Sequence, residues 1–128
     1  MNITINLQSP IAIYRQIVDQ IVQNLAEEQL APGDQLPSIR SLSTELRINP
    51  NTVIKAYREL EFRGYAESRH GKGYFAAGRA VARAREDWRE RAREEIATVV
   101  VRAVRMGMEP KEVETIVQET LYEGESRS

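Results

Sequence analysis

The chain contains no cysteine and a single histidine, His70. A disulfide framework, a thiolate metal site and a thiol nucleophile are thereby excluded, and a histidine-rich metal site with them. No metal and no cofactor is expected. Long apolar runs are equally missing: Ile11 to Ile13 gives way to Tyr14 and Arg15, and nothing approaches the roughly 18 apolar residues of a membrane span. No stretch reads as a signal peptide, so a cytoplasmic protein without membrane contact is expected. A cationic excess is missing too, since 18 basic residues face 19 acidic ones. That balance discourages indiscriminate sticking to phosphates. Catalysis is not expected, because the chain offers one histidine, no thiol and no acid pair of identifiable geometry.

At 128 residues the chain has room for one small domain, or one with an appendage. Its most informative stretch is residues 36–57, in which two short apolar periodicities, each opened by a capping residue, are separated by only three or four residues. This spacing predicts a helix-turn-helix. Ser38 caps the first of the two helices, with Ile39, Leu42 and Leu46 as its inward stripe. Asn49 and Pro50 cap and open the second. Setting Val53 toward the core brings Ala56, Tyr57 and Leu60 to the same side and sends Asn51, Lys55, Arg58 and Phe62 outward. Asn51 and Thr52 occupy the first turn, the end of a recognition helix that meets base edges and phosphates. Between residues 38 and 73 seven cations (Arg40, Arg47, Lys55, Arg58, Arg63, Arg69, Lys72) outnumber four anions (Glu45, Glu59, Glu61, Glu67).

Alternation of Ile3, Ile5 and Leu7 predicts a short extended arm over residues 2–7. Ser9 and Pro10 are expected to open a first helix with the stripe Ile13, Ile17, Ile21 and Leu25, terminated by Ala31-Pro32-Gly33-Asp34. Gly64 ends the recognition helix. Two strand-like pieces, 65–68 and 73–76, then flank Arg69-His70-Gly71-Lys72, a glycine-rich tip that reads as a wing able to approach DNA. From residue 79 to 106 the composition turns to alanine, arginine and glutamate, with Val81, Ala84, Trp88, Ala92, Ile96, Val99 and Ala103 recurring along one long helix. Gly107 and Met108 close it with a Schellman-type turn. Pro110 opens a last helix carrying Val113, Ile116, Val117 and Leu121, expected to lie antiparallel to the previous one.

The fold class expected is mainly α with a small β-wing: a winged helix-turn-helix domain over residues 1–76, then a two-helix dimerisation hairpin over 77–128. Such a hairpin buries too little alone. Val81, Ala84, Trp88, Ile96, Val99, Val113, Val117 and Leu121 are therefore assigned to a homodimer interface, close to a four-helix bundle. Its two-fold symmetry would suit a palindromic DNA site. Met106 and Met108 join Trp88 as core or interface residues rather than ligand contacts.

Pro10 to Ile17, Pro32 to Leu46, Asn49 to Leu60 and His70-Gly71-Lys72-Gly73-Tyr74-Phe75 together resemble the GntR family of bacterial transcription regulators, specifically its small YtrA-type branch. The resemblance covers residues from about 10 to 76. It implies operator binding as a homodimer, usually as a repressor released by a small-molecule effector, and often control of transporter operons. It also implies that Arg40 contacts double-stranded DNA from the second helix, Asn51 and Thr52 from the recognition helix, and His70, Gly71 and Lys72 from the wing. Ser38, Lys55, Arg58 and Arg69 complete the expected DNA-binding set. Arg47 stands where a glycine is frequent, Pro50 where many relatives carry a contacting arginine, and Ile54 where a basic residue is common, so Lys55 would supply the missing cation. The tail is too short for the larger effector or enzyme-like domains of other branches.

Plainer readings stand beside these. Arg40 can be a solvated arginine, Asn51 and Thr52 can serve only the helix start, and residues 70–72 can be an ordinary hairpin turn. Gly71-Lys72-Gly73 lacks the rest of a phosphate-loop pattern. The Arg/Glu run over 83–95 reads as a solvated face with i, i+4 pairs. A sequence-specific regulator is the function expected; the alternative is a protein interaction module that uses a winged-helix fold without specific DNA binding.

Overall fold

The computed structural model describes residues 2–127, which form five helices and a two-stranded sheet. In chain order these are α1 (Ile13–Ala26), α2 (Ile39–Leu46), α3 (Pro50–Phe62), β1 (Ala66–Arg69), β2 (Gly73–Ala76), α4 (Ala80–Arg105) and α5 (Pro110–Arg127). The helix-turn-helix stands where the capping residues put it. Ser38 Oγ accepts from the Ser41 N–H at 3.0 Å, and Asn49 Oδ1 accepts from the Asn51 N–H at 2.8 Å ahead of Pro50. Each bond satisfies an amide that has no partner inside its helix.

The chain divides into two compact units, Met1–Trp88 and Arg89–Ser128. In the first, α1 packs on α3, and α3 also packs on α2 and β1. Ile17, Val18, Ile21 and Leu25 from α1 and Val53, Ala56, Tyr57 and Leu60 from α3 are essentially removed from water. Burying each large aliphatic side chain contributes about 1.5–3 kcal/mol. Tyr57, although fully enclosed, keeps its hydroxyl satisfied by donating to the Pro37 carbonyl at 2.7 Å. Enclosure pushes its phenol well above the ordinary tyrosine range. Its ring meets Tyr74 edge-on at 5.2 Å, which seats β2 on α3.

The arm over residues 2–7 is extended without being a strand, and Ile3 is buried whereas Leu7 is 79% exposed. Two glutamines of α1 replace a neighbouring strand. Gln20 accepts from the Thr4 N–H and donates to the Thr4 carbonyl, and Gln16 does the same for Asn6, at 2.7–3.0 Å. Gln16 also donates to the Ile11 carbonyl. That carbonyl is thus held outside the helix, and Ser9 Oγ is occupied by the Ile11 N–H in a local turn. Consequently α1 starts at Ile13 rather than at Pro10. It also ends earlier than Ala31-Pro32-Gly33-Asp34 suggested. Glu28, at φ 60°, closes it with Glu28 N–H to Leu25 and Gln29 N–H to Asn24 bonds.

The sheet is a hairpin pairing Ala66 with Ala76 and Arg69 with Gly73, so Tyr65 lies just outside β1 and Arg69 inside it. Residues 33–36 run along the other edge of β2, through Gly33 N–H to Ala76, Ala76 N–H to Asp34 and Leu36 N–H to Tyr74 bonds. This third segment anchors the wing base.

α4 begins as part of the first unit. Ala80 and Ala84 are fully buried in its core and Val81 packs against it, so these residues are committed within the chain. Val81 and Ala84, expected at a dimer interface, thus already have neighbours in their own chain, and the first unit runs on to Trp88. Arg85 secures the attachment, donating to the Ala26 carbonyl at 3.0 Å and pairing with Glu28 at 3.1 Å.

The second unit holds the rest of α4 and α5. Gly107, at φ 104°, ends α4 with Gly107 N–H to Val104 and Met108 N–H to Ala103 bonds, the Schellman turn expected there. Among the described residues the two helices make few close backbone approaches to one another. Val113 is half-buried, but Ile96, Val99, Ile116, Val117 and Leu121 remain exposed, the last at 64%.

Candidate nucleic-acid interface

α3 presents to solvent the stripe that its period dictates. Asn51, Lys55, Arg58 and Phe62 are exposed, Thr52 and Ile54 half-buried, and the four core residues lie opposite. Asn51, Ile54, Lys55, Arg58, Glu59 and Phe62 line one open groove along this face. Phe62, 87% exposed, gives the groove an apolar far end. Ser38 and Arg40, at the start of α2, are exposed as well. The Ser38 oxygen is engaged in the cap, which leaves its hydroxyl proton free to donate.

The wing tip, His70-Gly71-Lys72, is wholly exposed. A Lys72 N–H to Arg69 carbonyl bond at 2.9 Å closes it, with Gly71 and Gly73 at φ 71° and 103°. Gln35 reaches across from the third segment and donates to the Lys72 carbonyl at 2.8 Å. A Cβ on Gly73 would meet that same Gln35 amide at 3.4 Å. Arg69 differs from the tip residues: its guanidinium lies over the Phe75 ring at 4.0 Å and pairs with Glu67 at 3.3 Å.

Ion pairing sharpens the modest cationic excess of residues 38–73. Glu59 is taken by Arg63 at 2.8 Å, Glu67 by Arg69, and Glu61 by the Ser68 hydroxyl at 2.7 Å. Among the described residues Arg40, Arg47, Lys55, Arg58 and Lys72 have no ion pair. The acids are therefore mostly spent inside the unit, while the cations on α2, α3 and the wing tip keep their charge for an external anion. Lys55 is held differently, its Nζ 4.1 Å from the centre of the Tyr14 ring.

Behind the wing, Tyr65 is buried and donates to Asp87 of α4. Burial first, and the Asp87 carboxylate second, push its phenol up to about 12. Arg83 and Arg63 partly oppose that rise. Gln35, Gln16, Tyr14 and Asp87 escaped the sequence reading, because each acts through a partner 22 to 41 positions away or on irregular backbone that no periodicity reveals. No group of acidic or histidine side chains among the described residues could hold a metal ion, and no helix is long and apolar enough to cross a membrane.

Residues 13–75 match the model of the bacterial regulatory proteins of the gntR family. The chain is 33% identical to the HTH-type transcriptional repressor YtrA of Bacillus subtilis over 91% of its own length and 90% of that protein's. It is 45% identical to the HTH-type transcriptional regulator YhcF of the same organism over 57% of its own length, spanning 60% of that relative. Among solved structures, a transcriptional regulator from Oenococcus oeni superposes with a TM-score of 0.81 at 32% identity, covering 91% of this chain and 97% of that one. With a helix-turn-helix, a wing and an unpaired cationic face already in view, these likenesses are of one kind: the chain belongs to the GntR family of DNA-binding transcription regulators and is a YtrA homologue within it.

Proposed function

We propose that the chain is a homodimeric repressor that occupies an inverted-repeat operator and blocks transcription by covering a promoter. Arg40, Arg58, Lys72 and the amides at the start of α3 hold phosphates; Asn51, Thr52 and Lys55 discriminate bases. The observation that carries the dimer reading is the set of apolar side chains of the second unit, Ile96 and Val99 on α4 and Val117 and Leu121 on α5, which its own chain leaves in water. Trp88, exposed on α4, and the half-buried Val113 of α5 belong to the same proposed interface. A second copy is the occupant whose symmetry brings two recognition helices to two half-sites. Repression is supported by the YtrA relative, a protein named as a transcriptional repressor. The proposal extends to a transporter operon as target and release by a small effector, as the family resemblance implies.

Selection of bound duplexes from a random library, followed by gel shift and sedimentation, tests this reading. A dimer bound to a palindrome at physiological salt is expected. A monomer bound to no selected sequence would refute it. Lys72→Ala should weaken binding to all sequences alike and lower the salt slope by about 0.9, whereas Asn51→Ala should relax base preference at one position, at a cost of roughly 1–3 kcal/mol on the best site.

A further inference from the structure

Tyr14 belongs to α1, outside the elements so far given a part in DNA contact, yet its ring faces the ammonium of Lys55 at 4.1 Å. We propose that Tyr14 is a positioning residue of the DNA interface: its ring holds the Lys55 ammonium in one place on the outward face of α3, ready for an acceptor on the duplex. The proposal rests on the reading of α3 as the DNA-reading helix.

Lysine carries a charge on four rotatable bonds, and ordering such a side chain on binding opposes affinity. A cation attracted to a ring face that is already fixed loses part of that freedom before DNA arrives. Tyr14 is such a fixed ring. It is half-buried against the core, on a helix whose Ile17, Val18 and Ile21 are locked onto α3. Among the described residues no carboxylate forms an ion pair with Lys55, so its charge is oriented without being neutralised there. A ring occupies one side of an ammonium that has three N–H donors, which leaves donors for an oxygen or nitrogen acceptor. Lys55 also sits mid-stripe, one turn beyond Asn51 and just before Arg58, where a fixed cation has most to read. The wing repeats the device with Arg69 over Phe75, but there Glu67 takes part of the charge. Tyr14 could instead be no more than packing between α1 and α3, and the two roles separate in a double-mutant cycle.

Affinity of the full chain for its best selected operator would be measured by fluorescence anisotropy for the parent, Tyr14→Leu, Tyr14→Phe, Lys55→Ala and the Tyr14→Leu/Lys55→Ala double variant. Tyr14→Leu is expected to weaken binding about two- to fivefold. Tyr14→Phe, which keeps the ring face, should stay within about twofold, and Tyr14→Leu should add nothing once Lys55 is absent. Equal weakening with and without Lys55, or no weakening in its presence, overturns the proposal. Should Tyr14→Leu fail to fold, Tyr14→Met keeps the apolar bulk without the π face and gives the same reading. Two arms identify the acceptor. If it is a guanine edge, 7-deazaguanine in the operator abolishes the effect of Tyr14→Leu. If it is a phosphate, Lys55→Ala lowers the salt slope by about 0.9. A parent that binds no duplex removes the DNA reading as a whole; a parent that binds without coupling between positions 14 and 55 removes this proposal alone.

Discussion

The two units treat apolar residues in opposite ways. Along the first, nearly every large aliphatic side chain on a helix is covered by another element of the same chain, and buried polar groups such as Gln16, Asn24 and Tyr57 all find hydrogen-bond partners. Along the second, Ile96 and Val99 are about 60% exposed, and α5 has no buried residue among those whose side chains are described. One helix, α4, passes through both regimes. Its first turns contribute Ala80 and Ala84 to a finished core, and its later turns carry an apolar row with nothing over it. A continuous amphipathic stripe therefore does not say with whom it packs. Small residues at one end and large aliphatics at the other are the only local sign that the partner changes.

The largest test of this contrast is to delete equivalent bulk from each unit. Leu60→Ala leaves a hole in a core with no exposed face, and should cost about 2–5 kcal/mol of unfolding free energy at any protein concentration. Val99→Ala removes methyl groups that already meet water, so at high dilution it should cost about 0.5 kcal/mol or less. Its effect is expected at high concentration, as weaker self-association. Urea unfolding of both variants over a hundredfold concentration range checks this. A concentration-independent loss of several kcal/mol in Val99→Ala would break the contrast.

A smaller effect marks the seam where α4 joins the wing. Tyr65 titrates near 12 in the folded chain against 10 for an ordinary tyrosine, so the folded state holds the phenolic proton more tightly than the unfolded state does. Stability from this group is complete below pH 10 and is lost as pH rises from 10 to 12. On the order of 1–2 kcal/mol is at stake. The advantage of the parent over Tyr65→Phe in chemical denaturation should therefore shrink across that window. An advantage that stays constant from pH 9 to 12 would mean that the Tyr65 phenol is not held by burial and Asp87.

Much of the recognition unit was legible because its signals are local. Ser38 and Asn49-Pro50 each cap the helix that follows them, and the α3 stripe divides into core and groove by angle alone. The wing was legible for the same reason, two short strands around a glycine-rich tip. Residues 33–36 were not, since their pairing with β2 joins segments some forty positions apart and leaves no period in so short a run. The start of α1 was misjudged because Ser9 and Pro10 carry the residue types of a cap. What overrides them is the side chain of Gln16, which holds the Ile11 carbonyl outside the helix. Ala84 and Val81 have core neighbours in their own chain that their spacing does not reveal, because a helical period carries no information about which neighbour completes it.

The smallest effect concerns one turn that both units use. α2 in the first unit and α4 in the second end with the same pair of hydrogen bonds: Arg47 N–H to Thr44 and Ile48 N–H to Ser43 in one, Gly107 N–H to Val104 and Met108 N–H to Ala103 in the other. Both require a left-handed residue, at φ 57° for Arg47 and 104° for Gly107. An L-residue there carries roughly 1–2 kcal/mol of strain that glycine does not, while glycine gives back about 0.4–1 kcal/mol through a freer unfolded chain. Arg47 is exposed and among the described residues has no ion pair to lose, so Arg47→Gly should stabilise the first unit by about 0.5–1 kcal/mol, seen as a higher urea midpoint at unchanged slope. A lower midpoint would mean that the arginine stem covers apolar surface worth more than the strain. Operator affinity measured on the same variant separates the two uses of the residue. A more stable chain that binds DNA less tightly would place the Arg47 cation among the phosphate contacts, and explain why the helix-turn-helix tolerates a strained residue where the tail has glycine.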